Sequence, residues 1–90
     1  MSLKKTALVT GAAGLLGEQH CIALLESNFN VIATDLDFKR LHKKFRENNF
    51  KKFQKNLVLK KIDVTSEKSI SNCIKFLKKN KISIDVLINN

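Results

Sequence analysis

The stretch TALVTGAAGLLG, residues 6–17, decides the fold of this chain. It passes from a short apolar run directly into glycines at positions 11, 14 and 17, and an apolar helical pattern begins before the last glycine. This order predicts a β-strand, a tight turn and the first turn of a helix. Unpaired backbone N–H groups at the start of a helix attract phosphate, and glycines leave room for it. The stretch therefore predicts a dinucleotide-binding turn.

The residues after the glycines supply the context that such a turn requires. Their helical spacing predicts a helix over residues 14–28. The apolar residues Leu15, Ile22 and Leu25 share one of its faces, and Phe29, just after its end, continues the same spacing. Residues 31–34 predict a second strand, which ends on Asp35, eighteen residues after Gly17. Together these features make the dinucleotide-binding fingerprint. A plain βαβ unit without a ligand is the alternative.

The remaining apolar runs predict three strands besides residues 31–34. Residues 5–10 form the first strand, and their continuous apolar character indicates burial on both faces. Residues 57–62 and 84–88 predict the third and fourth strands. Right-handed crossovers fold the order β-α-β-α-β-α-β into one arrangement. We therefore expect the α/β class: a Rossmann-type, doubly wound parallel sheet whose first four strands have the order 3-2-1-4, with three helices.

Two helices connect the later strands. Apolar spacing predicts the first of them over residues 38–57, broken or bent at Asn48 and Asn49. The other follows Thr65 or Ser66, either of which is a suitable N-cap, and it carries lysines on its outer face.

Acidic residues and asparagines end the predicted strands at the edge that carries the glycine turn. Asp35 can accept hydrogen bonds from both hydroxyls of an adenosine ribose and would repel a 2′-phosphate, which favours NAD over NADP. Asp37 adds a second negative charge that favours NAD in the same way, although capping the N-terminus of a helix is its simpler role. Asp63 would place its carboxylate near the adenine amino group, or it would simply end a strand. Asn89 and Asn90 can hydrogen-bond neighbouring loops or the cofactor ribose.

Composition limits the class of protein and of partner. Ninety residues make one domain at most, and no apolar run approaches the roughly twenty residues that cross a bilayer. The net charge is +9, and much of the excess lies between Lys39 and Lys61, where Glu47 is the opposing acid. Lysines beside apolar positions at helical spacing indicate a solvated helix face, and no tyrosine or tryptophan is present to stack on bases. We expect a cytoplasmic protein that binds neither nucleic acid nor membrane.

The cysteines and histidines do not form a metal-binding pattern. Cys21 and Cys73 are far apart in sequence, and each stands beside an apolar residue within a predicted helix. We expect both to be buried free thiols in a reducing compartment. His20 and His42 are isolated, so we predict no metal site.

Three motifs in sequence order resemble the short-chain dehydrogenase/reductase family. Residues 10–17, TGAAGLLG, match its cofactor turn. Residues 63–65, DVT, look like its adenine-binding motif, and residues 85–90, DVLINN, look like the approach to its Asn-Asn-Ala-Gly motif. The glycine spacing is similar to the extended branch of nucleotide-sugar epimerases and dehydratases. The other two motifs are similar to the dehydrogenase branch, which we favour, and the resemblance covers the whole chain.

The resemblance implies a set of residues around a bound NAD. Gly14 would let the phosphates approach, and Gly17 would pack closely against the first strand. The residues implied to line or shape the NAD site are Gly11, Ala13, Gly14, Leu16, Gly17, Asp35, Asp63, Val64, Asn89 and Asn90.

The chemistry that the resemblance implies needs residues that this sequence does not contain. The family uses a serine and a Tyr-x-x-x-Lys pair beyond the fourth strand, and this chain has no tyrosine. We therefore expect residues 1–90 to be the NAD-binding half of a Rossmann domain, truncated at its C-terminus. The complete enzyme would be an oxidoreductase that transfers hydride between NAD(H) and a small alcohol or carbonyl substrate, and it is a candidate homo-oligomer.

The isolated chain should then have distinctive properties. It should be catalytically inactive, weakly stable, and prone to aggregate or dimerise through an exposed fourth strand. A different class of function stays open: a complete small module that senses NAD without chemistry, or whose basic helix docks an acidic partner. A reading frame that continues beyond Asn90 into Ala-Gly and a later Tyr-x-x-x-Lys would distinguish the two.

Overall fold

A computed structural model describes residues 4–46 and 48–90. In these residues strands and helices alternate along the chain as β1 (Thr6–Val9), α1 (Leu15–Glu26), β2 (Asn30–Asp35), α2 (Phe38–Phe45), a 3₁₀ helix (Asn48–Asn56), β3 (Leu57–Lys61), α3 (Glu67–Lys79) and β4 (Val86–Ile88). The four strands form one parallel sheet in the order β3-β2-β1-β4. The predicted α/β class, Rossmann-type topology and strand order are confirmed.

The segment between β2 and β3 is divided into two helices, as the predicted break implies. α2 ends at Phe45, and a 3₁₀ helix from Asn48 comes next. The α-helix therefore ends shortly before the asparagine pair at which the break was predicted, and the chain from Asn48 is wound more tightly than an α-helix. Glu47, the acid expected to oppose the basic run, lies outside the described residues.

One of the four apolar residues predicted to share a helix face does not reach the core. Leu25 is buried, and Ile22 and Phe29 pack against the core, but Leu15 is 73% exposed. Gly17 and Cys21 are buried along α1 together with Leu25. Leu15 opens the helix at the edge of the sheet, where no other described element covers it, so sharing a helix face with core residues does not bury it.

The sheet separates two apolar clusters because side chains alternate along each strand. Val9 of β1 belongs to the cluster under α1, α2 and the 3₁₀ helix, whose other members include Leu25, Leu41 and Phe50. Its neighbour Leu8 belongs to the cluster under α3, with Ile32, Ile62 and Cys73. β1 is buried on both faces, as its continuous apolar run predicts.

Both cysteines are buried and free, as predicted. Burial raises the pKa of the Cys21 thiol to about 12, and the nearby Glu18 carboxylate contributes to this rise. Burial also raises the pKa of Cys73. Neither thiol is therefore activated as a nucleophile at neutral pH.

The helix starts obey the capping rules. The Ser66 hydroxyl accepts the Ser69 backbone N–H at 3.2 Å, and the Asp37 carboxylate accepts the Arg40 backbone N–H at 3.1 Å. These contacts confirm Ser66 as the N-cap of α3 and the simpler of the two roles considered for Asp37. None of the helices in the described parts of the chain is long and apolar enough to cross a membrane.

Candidate cofactor site

The turn between β1 and α1 needs glycine at two of its three glycine positions. Gly11 has φ +63°, and a Cβ there would lie 3.2 Å from the Asn90 Cβ. A Cβ on Gly17 would lie 2.8 Å from the Ala12 Cα, so only glycine lets α1 approach the turn this closely. Gly14 has φ −77° and a Cβ there would meet the Gly11 carbonyl oxygen at 3.4 Å, an ordinary contact.

Some backbone N–H groups of the turn form hydrogen bonds within the described part of the chain, and others have no acceptor there. The Ala12 N–H donates to the Thr34 carbonyl at 2.9 Å, and the Gly14 N–H donates to the Gly11 carbonyl at 3.1 Å. Within the described residues, no hydrogen-bond acceptor faces the next N–H groups, those of Leu15, Leu16 and Gly17. Three donors at the positive end of α1 form a cradle for an anion.

Asp35 stands at the end of β2 with its carboxylate turned towards this cradle. Its Oδ2 accepts the Ala13 N–H at 2.9 Å, and its Oδ1 accepts the Asp37 N–H at 3.0 Å. Each carboxylate oxygen can accept more than one hydrogen bond, so both retain capacity for a ligand hydroxyl. The two backbone bonds fix the carboxylate before any ligand arrives.

A cleft of about 210 Å³ opens beyond the carboxyl ends of β1, β2 and β3. Its lining residues are Thr10, Gly11, Thr34, Asp35, Leu36, Ile62, Asp63, Val64, Thr65 and Asn90. Leu36 and Val64 are 59% and 55% exposed, so the cleft has apolar walls beside its two carboxylates. This is the position at which open parallel sheets bind ligands.

Five of the ten residues predicted from sequence line this cleft: Gly11, Asp35, Asp63, Val64 and Asn90. Gly14 is the N-cap of α1, and Leu16 and Gly17 follow in its first turn, where Leu16 is 63% exposed and Gly17 is buried. Ala13 is fully buried, so it shapes the turn and offers no surface to a ligand. Asn89 faces an apolar groove under α3 instead.

Asp63 is held in a compact turn before α3. Its Oδ1 accepts the Thr65 hydroxyl at 2.6 Å and the Thr65 N–H at 2.9 Å. The hydroxyl bond, then the backbone bond, holds the pKa of Asp63 below its ordinary value. The Asp63 N–H donates to the Ser69 hydroxyl at 2.9 Å, which ties the end of β3 to the first turn of α3.

Thr10 lines the cleft of the candidate site, although the sequence did not single it out. Its hydroxyl donates to the Asn89 Oδ1 at 2.7 Å and accepts the Asn90 N–H at 3.1 Å. Its carbonyl accepts the Asn90 Nδ2 at 2.9 Å. These hydrogen bonds hold the end of β4 against the glycine turn. In the sequence, the position of Thr10 directly before the first glycine was the feature that could have indicated this role.

Thr34 and Lys44 were also missed. The buried Thr34 hydroxyl donates to the Val9 carbonyl at 2.9 Å, which fixes the end of β1 against β2. The Lys44 Nζ donates to the Ala13 carbonyl at 3.0 Å and lies 3.6 Å from the Glu18 Oε1. Lys44 looked like one cation among many in a basic segment, and no local pattern distinguishes it.

Comparison with known proteins places this geometry in a family. The sequence profile of short chain dehydrogenases matches residues 5–90. The chain belongs to the short-chain dehydrogenase family. It is 40% identical over 90 residues to the 3-oxoacyl-[acyl-carrier-protein] reductase of Buchnera aphidicola, covering 97% of this chain and 34% of that protein. The chain spans about a third of the length of the curated relatives that it matches.

Solved structures of a reductase and a dehydrogenase share the fold. The menthone neomenthol reductase of Mentha piperita superposes with a TM-score of 0.86 at 28% identity, covering 99% of this chain and 32% of that one. A 4-hydroxyisoleucine dehydrogenase complexed with NADH superposes with a TM-score of 0.74 at 26% identity, covering 93% of this chain and 32% of that one. The match in each case falls on about a third of the longer protein.

Proposed function

We propose that this chain is the NAD(H)-binding part of a short-chain oxidoreductase that transfers hydride between NAD(H) and an alcohol or carbonyl group. The observation that carries the proposal is the pairing of three free N–H groups at the start of α1 with the fixed Asp35 carboxylate beside them. The first suits a pyrophosphate and the second suits a ribose diol. A dinucleotide presents both groups a few ångströms apart.

The residues of the turn fit the pyrophosphate. Leu15, Leu16 and Gly17 would donate their N–H groups to its oxygens, and the dipole of α1 would favour its negative charge. A side chain at Gly11 would press against Asn90, so glycine there keeps the floor of the site open. These features support a phosphate-bearing ligand.

The cleft fits the adenosine half. Asp35 would accept the ribose hydroxyls, and the Leu36 and Val64 side chains would enclose the adenine ring between apolar walls. Asp63, whose pKa is lowered by its hydrogen bonds from Thr65, would face the adenine amino group as a carboxylate. The carboxylate of Asp35 would repel a 2′-phosphate, which supports NAD over NADP.

The bound nicotinamide would supply or take up the hydride. Proton transfer to or from the substrate oxygen needs an acid or base near neutral pH, and this chain has no tyrosine to provide the family's usual one. We therefore propose that the ninety residues bind the cofactor without turnover. We also propose that the complete enzyme acts on a small molecule, lies in the cytoplasm and forms homo-oligomers. We propose no nucleic-acid or membrane partner for it.

Calorimetric titration of the chain with NADH and NADPH tests the cofactor assignment. We expect NADH to bind more tightly than NADPH. Asp35→Asn removes the charge but keeps an oxygen for the Ala13 N–H. It should weaken NADH binding by about tenfold, the size expected for a hydrogen bond to a charged group, and reduce the preference over NADPH.

Asp37→Asn is the matched control for this titration. Its side chain lies two residues away, it is exposed, and asparagine caps a helix as well as aspartate does. The variant should therefore bind NADH as the wild-type chain does. Binding of neither nucleotide by the wild-type chain would refute the proposed function, and equal affinity for both would refute the role of Asp35.

A further inference from the structure

We infer that Lys44 of α2 is a positioning residue of the phosphate-binding turn and neutralises the Glu18 carboxylate beside it. The inference rests on the proposed NAD(H) site and adds a residue that neither the glycine motif nor the cleft contains. Lys44 is 31 positions from Ala13 in sequence, but its Nζ donates to the Ala13 carbonyl at 3.0 Å.

The first step is geometric. Ala13 is fully buried, its N–H donates to the Asp35 Oδ2 at 2.9 Å, and its carbonyl accepts from Lys44. Both peptide groups of Ala13 are thus held by side chains from other elements. The peptide unit whose carbonyl Lys44 holds also carries the Gly14 N–H, and the next three N–H groups are the free donors of the anion cradle. Lys44 therefore fixes the direction in which the cradle begins.

The second step concerns charge. Glu18 directly follows the free N–H groups, in the first turn of α1, and its side chain is 19% exposed. A carboxylate there stabilises the helix dipole but repels a second anion placed at the same helix end. The Lys44 ammonium, with its side chain 23% exposed, lies 3.6 Å from the Glu18 Oε1. It compensates the carboxylate, so a pyrophosphate does not meet an unbalanced negative charge.

The third step separates Lys44 from the other cations of its helix. Lys39, Arg40 and Lys43 are exposed, and Lys44 makes the one ion pair found among the described residues. A largely buried, charge-assisted hydrogen bond to a backbone carbonyl is stronger and better oriented than the contacts of a solvated lysine. Loss of Lys44 should therefore act on the turn, whereas loss of Lys43 should not.

The test is the NADH affinity of four variants of the chain, each with its melting temperature measured without ligand. Lys44→Met should weaken NADH binding by about tenfold, as expected for the loss of one charge-assisted hydrogen bond. Lys44→Arg should recover most of the affinity. Lys43→Met, a like substitution on the exposed face of α2, should leave the affinity within about twofold, as expected of a solvated surface cation.

Glu18→Gln, the fourth variant, distinguishes charge compensation from a merely structural ion pair, and it keeps the size of the side chain. Charge compensation predicts NADH binding as tight as in the wild type or tighter, because the anion near the pyrophosphate is gone. A structural ion pair predicts weaker binding together with a lower melting temperature. The NADH affinity and melting temperature of Glu18→Gln still test the inference if Lys44→Met does not fold.

The outcomes separate this inference from the function on which it rests. Absence of NADH binding by the wild-type chain would overturn both. Wild-type binding with unchanged affinity in Lys44→Met, or weaker binding in Glu18→Gln, would overturn the role of Lys44 and leave the NAD(H) site standing.

Discussion

The two faces of the sheet differ in how completely the chain covers them. On the first face, under α1, α2 and the 3₁₀ helix, Leu41 and Phe50 are at most 2% exposed. On the second face, under α3, the apolar side chains of Leu87, Ile74 and Ile70 are 63%, 47% and 41% exposed. These three residues line an apolar groove of about 420 Å³. The first face is a finished core, whereas the second is a half-covered surface that carries less of the stability of the fold.

The largest effect should come from truncating one leucine on each face. Leu41→Ala empties a fully buried site on the first face and should lower the free energy of unfolding by about 2–5 kcal/mol. Leu87→Ala makes the same chemical change on the second face, where the side chain is already largely in water, and should cost about 0.5 kcal/mol or less. Urea unfolding monitored by circular dichroism measures both, and equal losses would show that the faces do not differ.

A smaller effect should separate two glycines at the site end of the first face. Gly17→Ala forces a Cβ against the Ala12 Cα and should destabilise the chain by about 1–3 kcal/mol, because α1 must move away from the glycine turn. Gly14→Ala meets the Gly11 carbonyl oxygen at an ordinary distance and has a negative φ, so its stability should change little. Thermal melts of the two variants provide the comparison. A stable Gly17→Ala would mean that the close approach of α1 is not needed.

The sequence predicted the first face and the sheet better than the site. Periodicity and the glycine turn indicate strands, helices and their order, because these depend on local patterns and on the handedness of crossovers. The same periodicity did not reveal that Leu15 is exposed, since a helix face is buried only where another element covers it. The periodicity also did not predict the 3₁₀ helix from Asn48. An asparagine pair indicates a break in a helix, but it does not determine the conformation of the chain after the break.

The predicted site residues that the structure brings together at one edge are those whose position depends on a strand end. Asp35, Asp63 and Asn90 meet at one edge because parallel strands place their carboxyl ends together. Lys44 reaches Ala13 from a different crossover, and the pairing depends on side-chain packing between α1 and α2. No spacing in the sequence encodes that distance. The ten predicted site residues themselves stay a prediction until a bound cofactor is measured.

The smallest effect concerns the turn that fastens α3 to the second face, and it is a pH dependence. Hydrogen bonds from Thr65 hold the pKa of Asp63 below its value in an unfolded chain, which is about 3.9. A folded-state pKa that is depressed stabilises the fold above the unfolded pKa, and this contribution is lost as pH falls through the folded value. Asp63→Asn should therefore melt lower than the wild type near neutral pH, and the difference should shrink in acid.

Thr65→Val sharpens this prediction because it removes the hydroxyl donor, the largest cause of the shift, and leaves the carboxylate in place. Its melting temperature should depend less on pH between about 5 and 3 than that of the wild type, since the folded pKa moves back towards the unfolded one. Because Asp63 is in contact with solvent, water and salt screen the effect, and the melts belong at low ionic strength. A wild-type and Asp63→Asn difference that stays constant through the acid range would mean that the α3 turn owes nothing to the charge of Asp63. The attachment of α3 to the second face would then depend on apolar contacts alone.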